Sequence, residues 1–150
     1  RKKVEEASSI LYLGDNAGEI VFDKLFIETI NRPGITFTVK GGPAINDATM
    51  EDAIAVDMQS VANVITNGDN APSTILHNCS NEFLEAYHSA DLIISKGQGN
   101  FEGLMHQNDE RIFFLLMVKC DVIAEILQVK KGSFVVYQPQ SSKSNQVMNP

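Results

Sequence analysis

Several things are scarce in this sequence, and each scarcity excludes a class of protein. There are only two cysteines, Cys79 and Cys120, and no tryptophan. The cysteines stand far apart, outside any CxxC or Cys/His cluster, so neither a disulfide framework nor a structural zinc site is supported. Long apolar runs are also missing. The longest, Ile112 to Val118, falls well short of the roughly 20 residues a helix needs to cross a bilayer, and the opening from Arg1 to Ser9 is charged and polar rather than signal-like. Basic residues are few: 12 Lys and Arg against 19 Asp and Glu leave a formal charge of −7, and the basic groups form a block only at Arg1-Lys2-Lys3. Duplex nucleic acid and anionic membrane are therefore poor partners. No methionine stands at position 1. The expectation is a soluble, cytoplasmic protein, and a longer parent chain preceding Arg1.

What is present suits one domain: 150 residues, of which 43% are apolar. Short runs rich in β-branched residues alternate with segments of helical period, which predicts an α/β fold with a mostly parallel sheet. The predicted strands are Ile10 to Leu13, Ile35 to Val39, Val61 to Ile65, Leu92 to Ile94, Ile112 to Val118 and Phe134 to Tyr137. Between the first two, Ile20, Leu25, Ile27 and Ile30 recur with Phe22 and Phe26, until Pro33-Gly34 ends the helix. The other connections carry Met50, Ile54 and Met58, then Phe83, Leu84 and Tyr87, then Val122, Ile123, Ile126 and Leu127. The domain is expected over 5–138, followed by a loose polar tail over 139–150.

In open α/β sheets, ligands bind outside the carboxyl ends of the strands. Polar residues collect there: Asp15 and Asn16, Asn46 and Asp47, Asp69 and Asn70, Lys96, and Lys119 with Asp121. Gly14-Asp15-Asn16-Ala17-Gly18-Glu19 offers carboxylate and amide oxygens to a hard cation. It equally suits a turn in which Asn16 caps a helix and Glu19 completes a capping box. Asn46-Asp47-Ala48-Thr49-Met50-Glu51-Asp52 reads in the same two ways, as a helix start with Thr49 and Asp52 at capping spacing or as an acidic cluster relieved by a cation. Lys96-Gly97-Gln98-Gly99-Asn100-Phe101 puts a point positive charge before a Gly-x-Gly loop, the chemistry a phosphate requires. It matches neither the dinucleotide fingerprint nor a P-loop. His77, His88 and His106 show no metal-like pairing.

Taken together and in this order, the three segments resemble the metal-dependent damage-control phosphatase family, in the form of its archaeal and bacterial branch, from about Glu5 to Tyr137. The resemblance implies a three-layer Rossmann-like fold with helices on both faces. It also implies a helical segment ahead of the Asp-Asn strand, which is expected to be absent from this chain. It implies hydrolysis of phosphate esters of small metabolites, such as sugar phosphates or phosphopantetheine-like compounds, with manganese, cobalt, nickel or magnesium. The metal falls on Asp15, Asn16 and Asp52, and the phosphate on Lys96 with Gly97 and Asn100 as neighbours. Asp15, Lys96 and Glu19 are the expected catalytic residues, with Asp47 a substrate contact or alternative base. Two rival readings are a carboxylate methyltransferase of the same family and a non-catalytic metal or sugar-phosphate binding module. The first is weakened by the absence of a GxGxG loop after the first strand.

Overall fold

The computed structural model describes residues 2–140. The segment 141–150, most of the expected polar tail, lies outside them. A short helix α1 (Lys2–Glu6) precedes β1 (Ile10–Leu13), α2 (Ile20–Ile30), β2 (Ile35–Val39), α3 (Met50–Ala55), β3 (Asn63–Thr66), α4 (Asn81–Ser89), β4 (Leu92–Lys96), α5 (Gln98–Leu104), β5 (Ile112–Met117), α6 (Asp121–Leu127) and β6 (Phe134–Tyr137). They form one sheet in the order β3-β2-β1-β4-β5-β6. The first five strands are parallel and β6 pairs antiparallel with β5. All four residues of β1 are buried, as a central parallel strand with both faces covered must be.

Because successive side chains on a strand point to opposite faces, the register divides the core in two. Ile10 and Tyr12 pair with Leu92 and Ile94 and pack with Ile20, Ile27, Phe37 and Met58 on the side of α2 and α3. Leu11, Leu13 and Ile93 face Phe83, Phe101, Leu104 and Ile123 on the side of α4, α5 and α6. Helices thus cover both faces, as the resemblance implies. The same alternation puts Lys96, two residues past Ile94, on the face of α2.

Three sequence expectations are adjusted. The third strand begins at Asn63, not Val61, because Met58–Ser60 forms a 3-10 turn whose Met58 carbonyl accepts from the amides of both Val61 and Ala62. The run from Ile112 to Val118 is not buried on both sides: Ile112, Phe114 and Leu116 are buried while Met117 is exposed. On the α2 side, β5 and β6 carry an open apolar face of Met117, Phe134 and Val136, flanked by the exposed Phe22 of α2. Finally, α2 buries Ile20, Asp23 and Ile27 and exposes Leu25 and Phe26. The residue at the centre of its buried stripe is thus an acid. Among the described residues no helix is long and apolar enough to cross a membrane.

Candidate active site

The sheet reverses its order of connection between β1 and β4, and the loops leaving these two strands build the site. The loop after β1 and the loop after β2 are joined by main-chain bonds. The Ala48 amide donates to the Asp15 carbonyl at 2.8 Å, the Ala17 amide to the Asn46 carbonyl at 2.9 Å, and Asn16 and Asp47 form an antiparallel bridge. This joining carries Asp47 to Asp15 across a gap of more than 30 residues in sequence. The capping arrangement that the Asn16-to-Glu19 spacing allowed is not formed. Asn16 Oδ1 accepts from the Gly18 amide at 2.8 Å in a local turn, and Glu19 sits at the N-cap of α2 without a side-chain cap.

The Glu19 carboxylate instead reaches Lys96. Lys96 Nζ donates to Glu19 Oε2 at 2.9 Å and to Asp23 Oδ1 at 2.8 Å, and Asp23 Oδ1 also accepts from the Tyr12 hydroxyl at 2.7 Å. Burial works against the Lys96 ammonium, yet Asp23 and Glu19 outweigh it and hold its pKa above the ordinary lysine value. The next residue, Gly97, has φ +81 and lies so close to Asp15 that a Cβ built on it would overlap the Asp15 carboxylate. Its own amide donates to the Leu115 carbonyl at 3.0 Å. Gly97 therefore serves the site through its missing side chain, and its N–H is not offered to a ligand. Asn100 is buried. Its Nδ2 donates to the carbonyls of Gly14 at 3.0 Å and Lys96 at 2.9 Å, while its Oδ1 accepts from Thr74 Oγ1 at 2.7 Å. Asn100 ties the β1 and β4 ends together rather than lining the cleft.

Electrostatics mark Asp15 as the centre. Burial, and then the charge of Asp47, push its pKa up to about 6, against the pull of Lys119 and Lys96. Asp47 is itself raised by burial, although Lys40 Nζ lies 3.5 Å from its Oδ2. Lys40 is buried, also donates to the Ser73 carbonyl at 3.0 Å, and has its pKa lowered by that burial. The acidic cluster therefore contains its own cations, Lys40, Lys96 and Lys119. Asp15, Glu19, Lys96, Gly97, Gln98 and Lys119 form the polar end of a cleft of about 710 Å³, whose other walls include Phe22, Leu115 and Phe134.

Asp52 is placed differently. Its Oδ2 accepts from both the Thr49 amide and the Thr49 hydroxyl at 2.8 Å, so it closes the first turn of α3, and the carboxylates whose charge acts on Asp15 are those of Asp47 and, more weakly, Glu19. Replacing Asp52 with alanine should cost about 1 kcal/mol of stability, the usual worth of a cap, read as a lowered urea midpoint. Asp69, Asn70 and Asp121 also stay apart from the site: Asp69 Oδ1 accepts from the Asn70 amide, and Asp121 pairs with Lys131 at 3.5 Å.

No group of three or more His, Cys, Asp and Glu side chains among the described residues is arranged to hold a metal ion. The oxygen set of Asp15, Asp47 and the Asn16 amide nevertheless suits a hard divalent cation. Two adjoining carboxylates whose pKa values are both raised are what a bound cation would relieve. Sequence reasoning missed Tyr12, Asp23 and Lys40. Asp23 had a signal, an acid three residues after one buried isoleucine and four before another. Lys40 had one too, since it follows β2 as Lys96 ends β4.

With that geometry in view, a family model described as the damage-control phosphatase ARMT1-like domain matches residues 1–135. The damage-control phosphatase PH1575 of Pyrococcus horikoshii is 44% identical over 137 residues, 89% of this chain and 48% of that protein. A damage-control phosphatase of Archaeoglobus fulgidus is 39% identical over 139 residues, again 89% of this chain and 48% of its own length. The crystal structure of the Pyrococcus protein, a DUF89 family member, matches with a TM-score of 0.90 at 43% identity, covering 93% of this chain and 50% of that one. The chain spans about half the length of the curated relatives it matches. Sequence model, relatives and superposed fold agree, and the chain belongs to the damage-control phosphatase ARMT1-like family.

Proposed function

We propose that this chain carries a cation-dependent phosphomonoesterase site that hydrolyses phosphate esters of small metabolites. The observation that carries the reading is that Asp15 and Lys96 line the same end of one cleft, with the Lys96 charge acting on Asp15 and Gly97 packed against the Asp15 carboxylate. Relatives named as damage-control phosphatases support it. Asp15, Asn16 and Asp47 would hold manganese, cobalt, nickel or magnesium, with Asp47 taking the place that the resemblance assigned to Asp52. When bound there, the cation would neutralise charge on the phosphoryl oxygens.

The chain's own groups do the rest. Lys96 binds a phosphoryl oxygen from one side, and Lys119, whose charge already acts on Asp15 and Asp47, adds positive potential from the loop after β5. Charge that develops in transfer is thereby opposed by preformed groups that need no reorganisation. Water attacks phosphorus, Glu19 takes its proton, and the ester P–O bond breaks with the leaving alkoxide taking a proton from solvent, to which Glu19 returns its own. Lys40 and Asn100 touch none of these atoms. Lys40 orients Asp47, and Asn100 holds the β1 and β4 ends in register.

The test is release of inorganic phosphate from a panel of sugar phosphates and phosphopantetheine, with each of the four cations and with chelator. Turnover should require a cation. Lys96→Ala should raise KM at least about tenfold, in line with the loss of a charged hydrogen bond of roughly 1.5–3 kcal/mol. Phosphate release that survives chelation unchanged would remove the cation from the reading. Release of no phosphate from any ester would favour the methyltransferase or binding-module alternatives.

A further inference from the structure

We propose that Lys96 is an exchangeable clamp: Asp23, braced by Tyr12, is its permanent counter-ion, and Glu19 is a displaceable one that an incoming phosphate replaces. The inference rests on the phosphate-binding reading of Lys96 given above.

The two carboxylates on this ammonium differ in kind. The Asp23 side chain is 4% exposed and that of Glu19 49%, with Lys96 between them at 17%. Asp23 projects from the buried stripe of α2 between Ile20 and Ile27, one helical turn beyond Glu19. It cannot leave Lys96 without stranding a charge among apolar groups, which is strongly unfavourable. Its Oδ1 accepts from both Lys96 and Tyr12. The Tyr12 ring is fixed by stacking on Phe37, with centroids 5.4 Å apart, and by a tilted contact with Phe26. The other oxygen of Asp23, Oδ2, is buried and finds no hydrogen-bond partner among the described residues. A leucine here would pack the stripe without that cost, so the acid is explained by what it holds.

Glu19 differs on each count. It stands at the N-cap, half in water, on a side chain with three rotatable bonds, and swinging it into solvent leaves no buried charge unpaired. An ammonium has three donors. Two are engaged by Glu19 and Asp23, so a phosphate oxygen can use the third and then the one Glu19 gives up. While both carboxylates are paired to one ammonium, the cluster carries a net negative charge that repels a phosphate dianion. Departure of Glu19 removes that repulsion and frees the carboxylate to accept the proton of the attacking water. Asp23 and Tyr12 are positioning residues, because they reach the phosphate only through Lys96.

The two carboxylates should therefore answer the same substitution with opposite signs. Inorganic phosphate is titrated calorimetrically into the full chain at fixed manganese, with thermal melts recorded in parallel. Glu19→Gln should bind phosphate about tenfold more tightly while turnover falls. Asp23→Asn should bind about tenfold more weakly, since Glu19 then becomes the sole counter-ion and no longer yields. Tyr12→Phe, which keeps the ring packing and folds even if Asp23→Asn does not, should bind about threefold more weakly. In a Lys96→Met background both Glu19→Gln and Tyr12→Phe should lose their effect on phosphate. Glu19→Gln binding no more tightly than wild type, or Tyr12→Phe keeping its effect without Lys96, overturns the clamp. Equal phosphate binding by wild type and Lys96→Met overturns the underlying phosphate reading instead.

Discussion

Gly97→Ala is expected to lower kcat/KM by about 100-fold or more, the scale on which displacing a reacting group by about an ångström acts. Two independent causes add. At φ +81 and ψ 159 the backbone occupies a region that is open essentially to glycine alone, so a side chain brings strain on the order of 1–3 kcal/mol. The added methyl would also overlap the Asp15 carboxylate and push it off its present position, because the backbone behind that side chain is held in place. The Asp15 main chain is fixed by the Ala48 amide, and the Gly14 carbonyl before it by Asn100. Gly132 supplies the control. It has a similar φ of +87, yet a Cβ there would meet nothing within 4 Å. Gly132→Ala should show the strain as a lowered melting temperature with kcat/KM unchanged, whereas Gly97→Ala should lose both. A Gly97→Ala enzyme with near wild-type kcat/KM would mean that Asp15 does not need its present position.

Asp15→Asn is expected to abolish turnover and, in chelator-treated protein, to stabilise the fold. The sign follows from the raised pKa. In the folded chain Asp15 titrates at about 6 against an ordinary 3.8, so the folded state holds its proton more tightly than the unfolded state. The contribution of Asp15 to stability is therefore greatest below about pH 4 and is lost as the pH rises through 6, above which burial and the neighbouring Asp47 oppose the charged form in full. An asparagine escapes this decline. A shift of this size corresponds to roughly 3 kcal/mol at most, and partial solvent contact reduces it to about 1–2 kcal/mol. Melting temperatures of the two proteins should coincide near pH 4 and separate by a few degrees at pH 7.5, with the variant the more stable. A variant less stable than wild type at pH 7.5 would contradict the electrostatic account of this site. A half-buried carboxylate that lowers stability is a common mark of a functional group.

The strands and crossovers are legible in the sequence because their causes are local. Apolar runs bounded by Gly, Pro and Asn read as buried parallel strands, and Phe134–Tyr137 begins and ends where the sequence places it. The strand-end rule likewise gathers Asp15, Asp47, Lys96 and Lys119 at one end of the sheet from their positions in the chain alone. Residue roles are less legible. Thr49 and Asp52 have capping spacing and do cap, yet Asn16 and Glu19 have the same spacing and do not, because a lysine 77 residues away in sequence takes the Glu19 carboxylate. Nothing within a four-residue window separates the two cases. The resemblance sets Gly97 beside the phosphate, but pairing with β5 takes its amide.

By itself the sequence determined the fold class, the order of elements and the end of the sheet where chemistry collects, since hydrophobic period and turn chemistry are carried by neighbouring residues. Only the tertiary structure decided which charges meet. The bridge between the first two strand-end loops selects Asp47 as the partner of Asp15. Strand parity turns Lys96 toward α2, and the buried face of that helix supplies Asp23 and, through it, Tyr12. Charge pairing depends on distances of a few ångströms, and those distances are set by sheet register and helix packing between segments far apart in the chain.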